Sequence, residues 1–373
     1  MTRANVLITG ACGLLGAHLV AMLSRRYDVV GVDRHPWWGD EPQAVRLGDL
    51  EAPQFLRDTV EATAPSILIH CAALANVDAC EQDPAQAYTR NATLTRQLVR
   101  AVPASCLVVY LSTDGVFQGD TPFAREEDAP CPRTVYGRSK LQGEREVALA
   151  TRNHLIVRTN FYGWSSGRKR TAGEWLYHAL EAQQPVTLFT DFFFTPIYVV
   201  DFVERLIHLL EHPYRGLIHV AGRDRLSKHL FGMLMAEAGG FSTEAVRPGS
   251  LDPPSGHGLR PWARRRGPLE RVGGMSPHSG RGGEVPRALP VPRHGSGSLG
   301  RDPEAKSRGM GLHETPLTAQ RPKDMSLSSA RFVQLTGIEA PDSRSGLARF
   351  LRDRGRPLSA RFAASVTCSP RSV

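Results

Sequence analysis

Short apolar runs alternate with amphipathic stretches through the first 160 residues of the chain. The apolar runs are continuous, as in strands that are buried on both faces of a parallel sheet, and the stretches between them have helical spacing. We predict strands at 6–9, 29–32, 67–73, 107–112 and 155–159, and helices near 14–25, 52–63, 84–101 and 135–150. This order predicts an α/β fold, a Rossmann-type doubly wound parallel sheet.

The alternation loosens after residue 160. Further elements are helices near 172–183, 199–211 and 227–238, short strands at 186–188 and 217–220, and helical segments at 328–336 and 344–353. We interpret residues 161–247 and 317–355 as a smaller C-terminal substrate-binding part, packed beside the carboxyl ends of the sheet.

Residues 248–316 break the pattern, because they are rich in Gly, Pro, Ser and Arg and have little apolar periodicity. Such a segment buries too little apolar surface to offset the entropy of ordering. We interpret it as an insertion that is either disordered or translated from a shifted reading frame, which peptide mapping and resequencing would test. The tail at 356–373 is also predicted to be disordered.

The net charge of +9 changes little in this picture. Residues 248–313 hold 11 Lys and Arg against 5 Asp and Glu, and so carry most of the excess. Because Trp262 is the single aromatic residue among the arginines of this segment, we expect no nucleic-acid partner.

The composition suggests a protein of the cytoplasm. Hydrophobic residues make up 41% of the chain, yet no apolar run approaches the length of a membrane span, and the N-terminus leads directly into a strand. The 6 cysteines are scattered, without a C-x-x-C motif. We therefore expect no membrane association and free thiols in a reducing compartment.

A glycine-rich turn follows the first strand and opens the first helix. Its spacing, Gly-x-x-Gly-x-x-Gly, permits a tight turn and a close approach of the backbone to a pyrophosphate, which the helix N-terminus also attracts. A plain strand–helix turn is the alternative. We assign to a dinucleotide the residues Gly10, Cys12, Gly13, Leu14, Leu15 and Gly16.

Asp33 ends the second strand, where a carboxylate can accept hydrogen bonds from the adenosine ribose and disfavours a 2′-phosphate. Arg34 follows and could bind that phosphate instead, so both NADPH and NADH are retained as cofactors. Residues 1–160 are thereby predicted to form an NAD(P)-binding Rossmann core. Residues predicted to line the adenine and ribose, with ordinary loop and core roles as the alternative, are Asp49, Leu50, Cys71, Ala72 and Ala73.

Tyr136 and Lys140 stand four residues apart, so a helix places both on one face. The ammonium is expected to lower the pKa of the phenol, which could then exchange a proton with a substrate oxygen. Lys140 could also hold the cofactor. Thr113, which directly follows the predicted strand at 107–112, could hydrogen-bond the same oxygen. Tyr-x-x-x-Lys also occurs by chance in helices, and its context here favours catalysis.

These motifs together resemble an extended short-chain dehydrogenase/reductase, and within that group the dTDP-4-dehydrorhamnose reductases and their sugar-nucleotide-binding relatives. The resemblance covers residues 1–245 and resumes over 317–353. The strings that carry it are AALANVDACE (72–81), NAT (91–93), STDGVFQG (112–119), YGRSKLQGE (136–144), RTN (158–160), Asp191, Thr195-Pro196 and RPKDMSL (321–327).

The resemblance implies NAD(P)H-dependent reduction of a 4-keto group on a nucleotide-linked deoxysugar. Two departures leave the sugar open: Gly115 stands where an aromatic residue is usual, and Phe192–Phe194 replace a loop with Gln and Gly. The implied catalytic residues are Thr113, Tyr136 and Lys140. The implied substrate contacts are Asp114, Asn160, Asp191 and Arg321.

Two other functions fit the same residues. One is a sugar-nucleotide epimerase or dehydratase; the other is a non-catalytic NAD(P)-binding subunit that regulates a partner. A dehydratase needs a further acid/base pair, for which Asp114 is present but the usual glutamate neighbour is not. No residue is assigned to a metal. The need for a metal and the oligomeric state, with a homodimer as one option, stay open.

Overall fold

The computed structural model describes residues 3–39, 43–165, 170–212, 214–252, 319 and 321–362. Apart from 248–252, the predicted insertion at 248–316 lies outside these residues. The predictions that it is disordered or frame-shifted therefore lie outside them as well.

Strands alternate with helices through the first part of the chain, as predicted. The strands are β1 (Asn5–Thr9), β2 (Asp28–Asp33), β3 (Val45–Leu47), β4 (Ile67–His70), β5 (Leu107–Thr113), β6 (His154–Thr159), β7 (Phe161–Tyr162), β8 (Val186–Phe189), β9 (Phe193–Phe194), β10 (Ile197–Tyr198), β11 (Gly216–His219), β12 (Leu226–Ser227), β13 (Val246–Gly249) and β14 (Asp324–Met325). The helices are α1 (Leu14–Leu23), α2 (Pro53–Thr63), α3 (Val77–Gln82), α4 (Pro84–Tyr88), α5 (Leu94–Ala101), α6 (Val135–Ala150), α7 (Ala172–Glu181), α8 (Val199–Glu211), α9 (Lys228–Gly239), α10 (Ala330–Thr336) and α11 (Ser343–Arg352).

A seven-stranded parallel sheet organises the fold, in the order β11-β6-β5-β4-β1-β2-β3. The order reverses at β1, which lies between β2 and β4. Ligands of open α/β sheets bind at such a switch point, beyond the carboxyl ends of the strands. The predicted doubly wound sheet is thus confirmed.

One strand lies elsewhere than the sequence suggested. Residues 217–220 were assigned to the smaller part, but β11 pairs in parallel with β6 and forms an edge of the main sheet. The helix α8 precedes it and makes the crossover. The division at residue 160 stays a prediction. The main sheet crosses it, because six of its strands precede residue 160 and one, β11, follows it.

Both faces of the sheet are buried, which explains the continuous apolar runs. In β1, Leu7 faces the helices α2, α5 and α6, whereas Val6 and Ile8 face α1 and α8. All three side chains are fully buried. Because successive side chains point to opposite faces, a strand with two covered faces must be apolar at every position.

Three small sheets lie beyond residue 160. They pair β10 with β7, β13 with β8, and β9 with both β12 and β14.

The strand β14 follows the predicted insertion, so the chain returns to the fold there. Phe193 N donates to the Lys323 oxygen at 2.7 Å, and Ala124 N donates to the Ser326 oxygen at 2.9 Å. Trp164 stacks on Phe350 with 4.4 Å between ring centroids.

The packed chain also extends into the tail that was predicted to be disordered from residue 356. A 3₁₀-helix spans Ser359–Phe362, and Phe362 is fully buried. Arg361 Nη1 lies 3.1 Å from His18 Nε2 and donates to the Trp164 oxygen at 3.1 Å. The predicted boundary at residue 355 is therefore too early. Residues 356–362 lack helical periodicity in the sequence, but the side chains of Arg361 and Phe362 anchor them to the fold.

Three further features bear on function. Within the described ranges, no helix is long and apolar enough to cross a membrane, and no cluster of three or more His, Cys, Asp or Glu side chains could hold a metal ion. Among the described residues, the thiols of Cys71, Cys80, Cys106 and Cys131 are free.

We predict that Phe362→Ala destabilises the fold, because it would empty a fully buried site. Loss of a buried phenylalanine costs about 3–5 kcal/mol, which thermal and denaturant unfolding would measure. Leu149→Ala is the control, since Leu149 is 84% exposed and should leave stability unchanged. Equal stability of the two variants would contradict the packing of this terminal segment.

Candidate active site

The glycine-rich turn between β1 and α1 is shaped by its three glycines. Gly10 has a φ of +67°, and a Cβ there would lie 2.8 Å from the Ala72 nitrogen. A Cβ on Gly16 would collide with the carbonyl of Gly10. Gly13 precedes α1 without a side-chain cap, so no side chain occupies the helix N-terminus. The turn therefore fits a pyrophosphate that approaches the backbone closely.

Asp33 supports this turn from the end of β2. Its Oδ2 accepts from Cys12 N at 2.9 Å, and its Oδ1 accepts from His35 N at 3.0 Å. Trp38 Nε1 donates to the Cys12 oxygen at 2.9 Å from the same side. Each carboxylate oxygen keeps capacity for a further hydrogen bond, so Asp33 can hold the turn and also accept from a ribose hydroxyl.

Two cavities lie along the carboxyl ends of the strands. The smaller, of about 230 Å³, contains Asp33 and Arg34 together with the other residues predicted for adenosine, namely Asp49, Leu50, Cys71, Ala72 and Ala73. Arg34 Nη1 lies 3.8 Å from Asp49 Oδ2. The larger, of about 560 Å³, shares Gly10 and Gly13 with it and extends past the end of β5.

The three predicted catalytic residues all line the larger cavity. Thr113 ends β5, and its hydroxyl donates to Asp114 Oδ1 at 2.9 Å and accepts from Gly115 N at 3.0 Å. Tyr136 lies in the first turn of α6 and Lys140 one turn further, so the helix presents both to the cavity. The structure thus brings Thr113 and Lys140, which are 27 positions apart in the chain, to the same cavity.

The charge state of this pair differs from the sequence-based expectation. Burial raises the pKa of Tyr136, against a lowering by a hydrogen bond to Thr113, and the charge of Asp114 raises it further. Burial lowers the pKa of Lys140 to about 7. Its Nζ lies 4.1 Å from the ring centroid of Tyr110. The expected lowering of the phenol pKa by the ammonium is not among these effects, and the raised pKa keeps Tyr136 protonated at neutral pH.

Asp114 and Asn160 form a second polar group in the larger cavity. Asn160 Nδ2 donates to Asp114 Oδ2, while Thr113 donates to the other oxygen. Burial raises the pKa of Asp114, and these hydrogen bonds oppose that shift. Asp114 and Asn160, which the resemblance implies as substrate contacts, therefore lie together beside Thr113.

The other two implied substrate contacts differ from each other. Arg321 lines the larger cavity and donates to Asp78 Oδ2 at 2.7 Å, so the intervening insertion does not keep it from the site. Asp191 lies elsewhere: its carboxylate accepts from Ser250 Oγ at 2.6 Å and from Leu251 N at 2.9 Å. This placement differs from the predicted contact of Asp191 with substrate and gives it a role in holding the end of β13.

Asn91 supports the site without having been assigned to it. It lies in a π-helical turn at Thr89–Thr93, which interrupts the single helix predicted over 84–101. Its amide accepts from Leu74 N at 2.8 Å and donates to Ser139 Oγ at 2.9 Å. It therefore ties the loop after β4 to the turn of α6 that carries Lys140. The NAT string marked this position, but sequence spacing did not reveal its contacts.

A buried ion pair fixes α6 on the sheet. Arg158 Nε and Nη2 donate to the two oxygens of Glu144 at 2.9 and 2.7 Å, and Ser112 Oγ donates to Glu144 as well. The Glu144 and Arg158 side chains are 7% and 3% exposed. Glu144 and Arg158 both belong to the sequence strings that carry the family resemblance, although the sequence assigned neither of them a role.

Comparisons with known proteins agree with this geometry. The family described as RmlD substrate binding domain matches residues 4–261. A probable low-salt glycan biosynthesis reductase of Haloferax volcanii is 33% identical over 249 residues, which are 63% of this chain and 81% of that protein. The dTDP-4-dehydrorhamnose reductase of Mycobacterium tuberculosis is 31% identical over 257 residues, covering 65% and 78%.

A solved structure shares the fold. It is the dTDP-4-dehydrorhamnose reductase of Bacillus anthracis in complex with NADP, with a TM-score of 0.70 at 24% identity. The match covers 95% of this chain and 100% of that one. From the extent of the family match and the two sequence relatives, the chain belongs to the RmlD substrate binding domain family.

Proposed function

We propose that the protein is an NAD(P)H-dependent reductase of a 4-keto group on a nucleotide-linked deoxysugar. The observation that carries this proposal is the convergence of Thr113, Tyr136 and Lys140 on one cavity with the glycine-rich turn. The names of the haloarchaeal and mycobacterial relatives, both reductases, support it.

The residues fit the cofactor. The turn at Gly10–Gly16 would hold the pyrophosphate, because its glycines leave room that a Cβ would fill. Asp33 and the smaller cavity would hold the adenosine end. Bound NAD(P)H supplies the hydride that such a reduction delivers to the carbonyl carbon.

Tyr136 is suited to donate the proton that the carbonyl oxygen takes up. The reduction needs a protonated acid at neutral pH, and burial keeps the phenol protonated. When Tyr136 gives up its proton, a protonated Lys140 stabilises the phenolate by its charge. Thr113, oriented by Asp114 and Gly115, would contact the same oxygen.

We predict that Tyr136→Phe lowers turnover by about 10²–10⁴-fold, the usual contribution of a positioned proton donor. Cofactor affinity should change little, because the ring stays. The measurement is loss of NAD(P)H absorbance with a panel of 4-keto sugar nucleotides. Tyr88→Phe is the matched control, since Tyr88 is 38% exposed. Turnover within a few-fold of wild type would exclude Tyr136 as the acid.

We further predict that Asp33→Asn raises the NADPH/NADH affinity ratio about tenfold, or about 1.4 kcal/mol. The amide keeps an acceptor for Cys12 N but removes the charge that repels a 2′-phosphate. Calorimetry with both cofactors measures the ratio, with Asp58→Asn, at an exposed position on α2, as control. An unchanged ratio would show that Asp33 does not face the ribose.

A further inference from the structure

Lys228, the first residue of α9, carries a half-buried ammonium to which the sequence gave no role. Its Nζ lies 3.4 Å from the ring centroid of Phe194 and 5.1 Å from that of Phe192. Across the described ranges, this ammonium makes no hydrogen bond or ion pair, and aromatic faces are its contacts. A desolvated cation of this kind gains most from an anionic partner.

Neighbouring cations are already paired. Arg225 lies 3.7 Å from the Phe193 ring centroid and forms an ion pair with Asp324 at 2.6 Å. Arg321 is paired with Asp78 at 2.7 Å. Lys228 differs from both, because no carboxylate lies within ion-pair distance of its ammonium in the part of the chain that the structure describes.

The surroundings of Lys228 connect it to the larger cavity. Asp114 attracts its charge and Arg321 repels it, so both lie within electrostatic range. Lys228 does not itself line the larger cavity, but these two residues line it, and so does Phe192, whose ring centroid lies 5.1 Å from Lys228 Nζ; none of the three lines the smaller cavity at Asp33. Burial lowers the pKa of Lys228 to about 8, and Asp114 only partly offsets this, so a countercharge is still lacking.

The proposed reaction involves two ligands that each carry a diphosphate. The glycine-rich turn and the N-terminus of α1 suit one of them, the cofactor. The second diphosphate needs its own cations, away from that turn.

We propose that Lys228 binds the diphosphate of the sugar nucleotide, together with the guanidinium donors of Arg321 that its ion pair with Asp78 leaves over. This inference rests on the proposed function. The ammonium donates to phosphate oxygens as a point charge, while the Arg321 guanidinium can bind two of them. The rings of Phe192 and Phe194 contact the ammonium and position it.

The test compares wild type, Lys228→Met and Lys228→Arg, each with thymidine 5′-diphosphate, uridine 5′-diphosphate and thymidine as probes in calorimetry. Methionine preserves the apolar stem, and arginine preserves the charge. Lys323→Met is the matched control, because Lys323 is exposed and has been given no part in binding. Thermal unfolding checks that each variant folds.

Lys228→Met should weaken binding of both diphosphates about 10- to 100-fold, the effect of losing one charge-assisted hydrogen bond. The salt dependence of that binding should also fall. Affinities for thymidine and NADPH should be unchanged, and Lys228→Arg should restore most of the lost affinity. A purely structural role of Lys228 would not produce this selectivity.

Two outcomes would overturn the inference in different ways. If wild type binds both diphosphates and Lys228→Met binds them equally well, Lys228 is not the anion site, while the proposed function stands. If wild type binds NADPH but neither diphosphate, the sugar-nucleotide substrate fails together with the inference.

Discussion

The buried pair of Glu144 and Arg158 is the constraint on which the site depends. It joins α6 to β6, and the hydrogen bond from Ser112 extends the link to β5. Removing one partner of such a pair costs about 3–5 kcal/mol, because a charge is left buried alone. The helix that carries Tyr136 and Lys140 is thereby fixed against the strand that carries Thr113. Close packing adds to this, since a Cβ on Gly137 or Gly143 would collide with the Gly115 carbonyl or the Tyr110 hydroxyl.

Local pattern was enough to predict the main sheet and most of its helices, because strands with two buried faces leave an unbroken apolar signal. The motifs also predicted that Thr113, Tyr136 and Lys140 lie together, because Thr113 ends a strand and the other two share one face of a helix. It did not predict that residues 216–219 pair with β6, because a four-residue apolar run does not specify its partner. Strands of two residues such as β7 and β14 are too short to show any period.

Contacts that depend on tertiary neighbours were also beyond the sequence. The raised pKa of Tyr136 follows from burial around the phenol, which spacing along α6 does not reveal. The resemblance implied Asp191 as a substrate contact, but its carboxylate accepts hydrogen bonds from the Ser250 hydroxyl and the Leu251 backbone. Lys228 gave no signal in the sequence, since its contacts with the Phe192 and Phe194 rings, and its lack of an ion pair in the described structure, depend on tertiary neighbours.

The contact between Arg361 and His18 links two distant parts of the chain in a way that bears on biosynthesis. His18 is buried within α1, the helix whose N-terminus closes the glycine-rich turn, and Arg361 is among the last residues that the structure describes. On the ribosome, the first strands and helices emerge long before this arginine is made. The packing around this helix therefore includes a residue that stands 343 positions later in the chain, so during synthesis it cannot be complete until that residue has been made.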